Sequence, residues 1–161
     1  MKLTFKDQTS IEIINNSFNE YDSNNNLIHY KDSNGVEFWK EYDSNNNSIH
    51  CKDSNGYEYW KEYDSNNNSI HCKYSTGYEY WYEYDSKNNL IHRKDSDGVE
   101  VWNEYDSNNN LIHRKYSTGY EYWNDSKGNT ISKEEFEKNK SNCNGKEVII
   151  DGKKYQLTLI K

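Results

Sequence analysis

The sequence predicts an all-β protein, an elongated antiparallel meander of five 21-residue hairpin repeats with terminal hairpin caps and one short helix. Three observations carry this reading. The stretch EYDSNNNLIHYKDSNGVEFWK, residues 20–40, starts again at Glu41, Glu62, Glu83 and Glu104. Each copy holds two turn signals separated by short runs rich in β-branched and aromatic residues, with no helical segment between them. Pro is absent from all 161 residues, which suits uninterrupted ladders because Pro has no N–H to donate to one.

The elements follow in order within a single domain, 1–161. Residues 1–19 read as an N-terminal capping hairpin, KLTF against SIEI, with Leu3, Phe5, Ile11 and Ile13 as apolar positions. Residues 20–124 are the repeats. Their first turn is DSNN at Asp22, Asp43, Asp64 and Asp106, and DSKN at Asp85. Their second is DSNG or a variant, starting at Asp32, Asp53, Tyr74, Asp95 and Tyr116. Asp bonds the backbone that follows it, and Gly or Asn tolerates positive φ at the end of the turn. Ten strands result, two per unit. Residues 125–161 form a C-terminal cap. In it Ser132 and Glu135 have capping-box spacing for a helix near 132–139, and EVIIDGKKYQLTLI is a hairpin turning at Asp151-Gly152. Repeat arrays need such atypical ends to close their exposed faces.

A period of 21 is odd, and strand side chains alternate, so a slip of one residue turns every side chain over. The period holds equivalent positions on one face only if one loop is even in length or a strand carries a bulge. A two-residue Asn34-Gly35 loop with a three-residue Ser-Asn-Asn loop is the favoured solution. It puts Leu27, His29, Lys31, Val36, Phe38, Lys40 and Tyr42 on one face. Ile28, Tyr30, Asp32, Glu37, Trp39 and Glu41 fall on the other.

Only 32% of residues are hydrophobic, yet 16% are aromatic, among them 16 Tyr. Disordered chains lack such residues, so burial here rests on amphipathic rings. Net charge is −7. Residues 20–124 hold 10 Lys/Arg against 19 Asp/Glu, a net of −9, and the two ends together 10 against 8. An acidic middle repels phosphate backbones, which argues against nucleic acid as partner. No segment approaches the ~20 apolar residues of a membrane span or the apolar stretch of a signal peptide. Three Cys fit a reduced compartment better than a disulfide framework. The expected location is cytoplasmic.

Tyr21-Asp22, Asn26-Leu27, Asp32, Gly35 and then Tyr42-Asp43 again resemble the YD repeat of RHS proteins. The resemblance covers residues 20–124 and implies a long antiparallel sheet. In large members of that family the sheet spirals into a hollow shell around a toxin; five units are too few to enclose anything. Asn25, Asn46, Asn67, Asn89 and Asn109 stand where the family has Gly. More loosely, the units are similar to choline-binding repeats, aromatic hairpins that hold wall-bound ligands, although the Gly-Trp opening of those repeats is absent.

Candidate chemistry is sparse. His29, His50, His71, His92 and His113 form a series, but members two strands apart lie too far from one another to share an ion; a structural ladder with Lys and Tyr neighbours is expected. Cys51 and Cys72 are likewise too distant to bridge and read as small space-fillers. His50-Cys51 and His71-Cys72 point to opposite faces, which removes them as catalytic pairs. Glu37 and Glu41 flank Trp39, a pattern that recurs along the chain and reads as a solvated face rather than a glycosidase pair. No catalytic residue, metal or cofactor is assigned.

The expectation is a non-enzymatic binding protein. Its acidic, aromatic surface, with Glu37, Trp39, Glu58, Trp60, Glu79, Trp81, Glu100 and Trp102 as partner-binding residues, would occupy a protein partner's basic groove. Small acidic inhibitors, immunity proteins and phage anti-defence (anti-CRISPR-like) factors act in this way. The alternatives are a glycan or cell-wall binding module, resting on the Trp ladder, and a structural self-assembling protein, since open sheet edges leave room for a homodimer.

Overall fold

The computed structural model describes residues 1–14, 16–141, 147–150 and 153–156. Fourteen antiparallel strands follow one another in chain order. They are β1 (Lys2–Thr4), β2 (Ser10–Ile14), β3 (Ser17–Tyr21), β4 (Leu27–Lys31), β5 (Glu37–Tyr42), β6 (Ser48–Asp53), β7 (Glu58–Tyr63), β8 (Ser69–Tyr74), β9 (Glu79–Tyr84), β10 (Leu90–Asp95), β11 (Glu100–Tyr105), β12 (Leu111–Tyr116), β13 (Glu121–Asn124) and β14 (Thr130–Ile131). The ten expected repeat strands are β4 to β13. The chain divides into two compact units, Met1–Glu100 and Val101–Lys161, taken in turn.

In the first unit the opening hairpin pairs Leu3 with Ile11, and Asp organises the turns that follow it. Asp22 Oδ1 accepts the N–H groups of Asn24 and Asn26 at 2.9 and 2.8 Å, and Oδ2 accepts Asn26 Nδ2. Asn25 closes this turn at φ 65°. Asp32 repeats the design, with Oδ1 accepting from Asn34 and Val36 N–H while Gly35 sits at φ 86°. Such left-handed positions suit Gly and, at lower frequency, Asn. The left-handed Asn of the fourth unit is Asn88, so the expected Asn89 is displaced by one; Asn89 instead donates to Asp85.

The two loops therefore share one length, which corrects the expected two-residue Asn34-Gly35 loop. Lys31 pairs with Glu37 and His29 with Trp39, leaving three residues between Asp32 and Val36. The odd residue of the period is taken up by a bulge. Glu41 pairs with His50, but Tyr42 pairs with Ser48, and Ile49 is the extra residue. The same irregularity occurs at Glu20/Tyr21, Glu62/Tyr63 and Leu90/His92. Tyr63 and Tyr84 donate their hydroxyls to the carbonyl oxygens of Ser48 and Ser69, at 3.0 and 3.1 Å, beside the bulges.

The faces change accordingly. His29, Lys31, Glu37, Trp39 and Glu41 lie on one face, and Tyr30, Phe38, Lys40 and Cys51 on the other. One residue more in the loop turned β5 over relative to β4. Trp39 pairs with Lys52 and Lys52 with Glu58, so Trp60 stands two residues beyond the position beside Trp39. Equivalent residues keep their face, and each unit of the repeat is offset by two residues from the one before.

Burial is spread thin. Among the described residues the buried apolar side chains are Cys51, Cys72, Val101 and Phe136, and no large side chain is fully buried. Cys51 and Cys72 are free thiols, filling space as expected. What replaces a thick core is repetition. Cross-strand pairs contribute about 0.2–1 kcal/mol each, and side chains lace the turns together. Asn26, Asn47 and Asn68 Nδ2 donate to Asn46, Asn67 and Asn88 Oδ1 at 2.8–2.9 Å. On the opposite edge Ser54 Oγ donates to Gly35 O and accepts Glu37 N–H, and Ser75 does the same for Gly56 and Glu58.

In the second unit β12 pairs with β11 and β13, and β13 with β14. The expected helix is α1 (Lys133–Ser141); Ser132 Oγ caps it by accepting Glu135 N–H at 3.1 Å. Phe136 sits beside the rings of His113 and Trp123. A second sheet pairs β15 (Glu147–Ile150) with β16 (Lys153–Gln156). The expected Asp151-Gly152 turn and Cys143 lie outside the described residues.

Candidate functional site

Strand register builds a repeating pattern on the face that carries the tryptophans. Read across neighbouring strands of the first unit, Glu20, His29, Trp39, Lys52 and Glu58 stand side by side. The next row is Glu41, His50, Trp60, Lys73 and Glu79. A third begins Glu62, His71, Trp81, Lys94. The two-residue offset therefore converts one sequence repeat into parallel rows of the order Glu, His, Trp, Lys.

Each imidazole is enclosed. His50 stacks on Trp60 with centroids 5.2 Å apart and planes 10° from parallel, and His29 and His71 stack on Trp39 and Trp81 in the same way. His50 Nε2 meets Glu58 at 2.8 Å while Nδ1 faces Glu41 at 3.4 Å. His71 meets Glu79 and Glu62 at 2.9 and 3.3 Å. In the second unit His113 lies between Glu104 and Glu121 and stacks on Trp123. The histidines form a packed series as expected, but its neighbours are Trp and Glu rather than the expected Lys and Tyr. Among the described residues no group of three or more His, Cys, Asp or Glu is placed to hold a metal.

The two glutamates flanking each Trp are not equivalent. Glu37 is held by Lys31 at 3.0 Å and His29 at 2.8 Å, and its side chain is 17% exposed. The hydrogen bonds from Lys31 and then His29 keep its carboxyl below the usual range, and Lys73 with His71 does the same for Glu79. Glu58 and Glu100 likewise meet His50 and His92. Glu41, Glu62 and Glu83 are 69%, 69% and 68% exposed; their ion-pair contacts among the described residues are to an imidazole alone. Trp39, Trp60, Trp81 and Trp102 are about two fifths exposed.

The expected site residues thus divide. Trp39, Trp60, Trp81 and Trp102 are open to solvent, whereas Glu37, Glu58, Glu79 and Glu100 are engaged within the face. The outward carboxylates, Glu41, Glu62 and Glu83, entered the sequence reading only through Glu41 as half of a recurring pair. The sequence signal for them was the Trp-x-Glu spacing, which fixes their face once Trp is placed.

The opposite face presents tyrosines whose hydroxyls are pushed up in pKa. Burial does this for Tyr42, Tyr59, Tyr63 and Tyr82, and a hydrogen bond with Cys72 does it for Tyr74. His50 and Cys51 point to opposite faces as expected. In the second unit a recess of about 510 Å³ is lined by Ile112, Asn124, Ile131, Phe136 and Lys140. Asp125 at its rim spends both oxygens on its own turn. No described helix is long and apolar enough to cross a membrane.

No protein-family model and no curated protein matches the chain. Solved structures do. The Photorhabdus luminescens Tc holotoxin pore aligns at TM-score 0.60 and 16% identity over 77% of this chain and 8% of that one. A TcdB2-TccC3-TEV crystal structure aligns at 0.61 and 16%, and a TcdB2-TccC3-Cdc42 structure at 0.59 and 17%, each over 79% of this chain. The chain spans 7–8% of the length of these neighbours. At such identities the likeness is one of fold, and at that level the YD-type hairpin repeat read from residues 20–124 is borne out.

Proposed function

We propose that this chain is a repeat-type binding domain with no chemistry of its own, which holds a protein partner against its tryptophan-bearing face. The observation that carries this reading is the open indole. Trp39, Trp60 and Trp81 have one ring face stacked on an imidazole yet stay 39–41% exposed. A half-exposed, immobilised Trp beside a carboxylate is the kind of residue that anchors interfaces. The solved structures that share the fold come from multi-component toxin assemblies, which supports protein partnering.

The excess charge of the face lies on Glu41, Glu62 and Glu83, so the complementary partner is basic. Covering a basic groove in the cytoplasm would make the domain an inhibitor or immunity-type protein, of which phage anti-defence factors are one form. The test is a tagged pull-down from bacterial lysate, with Glu41→Lys, Glu62→Lys and Glu83→Lys combined as control. A stoichiometric protein retained by the wild type and lost by the control supports the reading. Equal retention by both overturns it.

The Trp row also favours a second reading, a glycan or cell-wall module. Soluble wall fragments that shift Trp fluorescence while the lysate yields no protein would replace the first reading by the second.

A further inference from the structure

Successive exposed indoles are separated by two strands and by the two-residue offset between repeats. With strand spacing of ~4.8 Å and a rise of ~3.4 Å per residue, the step from Trp39 to Trp60 and on to Trp81 is about 12 Å. Each indole is followed two residues later, on the same face, by an exposed carboxylate: Glu41, Glu62, Glu83. Of the lysines on this face, Lys31, Lys73 and Lys94 are matched by Glu37, Glu79 and Glu100, and Lys52 stands opposite Glu58. The negative charge left for a ligand therefore recurs once per step, always beside an aromatic surface.

We propose that the partner presents an α-helix with arginines on one side at heptad spacing, each guanidinium seated between a Trp and the following Glu. This rests on the protein-binding reading and names the partner's chemistry. Guanidinium is the group that uses both elements at once, since it stacks flat on an indole and pairs with a carboxylate through parallel N–H bonds. The helix follows from backbone accounting. Interior strands of the face already exchange their N–H and C=O groups with neighbouring strands, so an extended segment laid on that face would find no backbone partners there. A helix satisfies its own. Seven helical residues rise about 10.5 Å, and the reach of an arginine side chain absorbs the remaining ~1.5 Å per step.

The test uses the whole chain and two synthetic helical peptides of identical composition. One carries a single arginine per heptad on one side; the other distributes the same arginines around the helix. Titration followed by Trp fluorescence and calorimetry should show the one-sided peptide binding about tenfold tighter or more, with the preference weakening as salt rises. Combining Glu41→Gln, Glu62→Gln and Glu83→Gln should abolish that preference, and Glu12→Gln, on β2 away from these rows, should preserve it. Replacing the arginines by lysines should lower affinity several-fold. Equal affinity for the two arrangements, no binding by either, or a preference that survives the triple variant would each overturn the proposal. Failure here with a successful pull-down leaves the binding domain standing and removes only the arginine helix; loss of the pull-down result removes both.

Discussion

Tyr42 donates its hydroxyl proton to the carbonyl oxygen of Leu27 across 3.1 Å. The bond joins the last residue of β5 to the start of β4, beside the bulge formed at Leu27–His29. Tyr63 and Tyr84 repeat it one and two units on. This gives the Tyr of the Tyr-Asp pair a physical role: it ties off the carbonyl beside the irregularity that keeps a 21-residue period on one face.

Removing that hydroxyl should therefore be felt. Tyr42→Phe or Tyr63→Phe is expected to cost about 1 kcal/mol, the value of one part-buried hydrogen bond, read as a lower urea midpoint with unchanged slope. Tyr57→Phe, at an exposed ring, should leave the midpoint where it was.

Asn67 combines a left-handed backbone, φ 64°, with a side-chain oxygen that accepts Asn47 Nδ2 at 2.8 Å. Gly at this position relieves the strain but removes the acceptor, so Asn67→Gly should be nearly neutral. Asn67→Ala loses the acceptor and keeps an unfavourable φ, and should cost about 1–2 kcal/mol. Thermal unfolding of the two variants side by side checks the order.

The turn aspartates set the response to acid. Hydrogen bonds from the Asn47 side chain and backbone hold the Asp43 carboxyl below its ordinary pKa; Asn68 and Asn89 do the same for Asp64 and Asp85, and Asn129 for Asp125 in the second unit. A folded-state value below the unfolded one contributes stability that is present above the ordinary aspartate range and lost as pH falls through the folded value. Unfolding midpoints should hold steady in mild acid and drop below about pH 4. Replacing Asp43 and Asp64 with Asn should reduce the steepness of that drop.

Ile49 is the extra residue of its bulge, lying between Ser48 and His50 in β6. Deleting it alone should leave Glu41–His50 and Tyr42–Ser48 as neighbouring pairs of a regular ladder, with the faces on both sides unchanged. The expected result is a folded chain, scored by circular dichroism, whereas deleting the paired Cys51 should draw His50 and Ile49 onto the wrong faces and lower the unfolding midpoint.

The turns were legible because Asp followed by Asn or Gly three residues later has a local mechanism that needs no tertiary information. Loop length was not, since Asn34-Gly35 suits a two-residue hairpin and a three-residue one equally well. Nor does a bulge leave a mark on composition: Ile49 looks like any strand residue, and only the pairing of Glu41 with His50 and Tyr42 with Ser48 reveals it. That single ambiguity exchanged the faces of half the strands. It also hid the difference between Glu37 and Glu41, whose spacings from Trp39 are equal and whose neighbours are not. The tryptophan row survived the error because each Trp occupies the same place in every unit.

The two-residue offset has one more consequence, for how such a chain changes over generations. Turn, bulge and offset are all contained in one repeat, so slippage between near-identical coding segments that removes or adds a whole 21-residue unit leaves each remaining unit in register. It alters only the number of indoles in the row. On the binding reading proposed above, valency toward a periodic partner would follow copy number, adjustable in integer steps without redesigning a single contact.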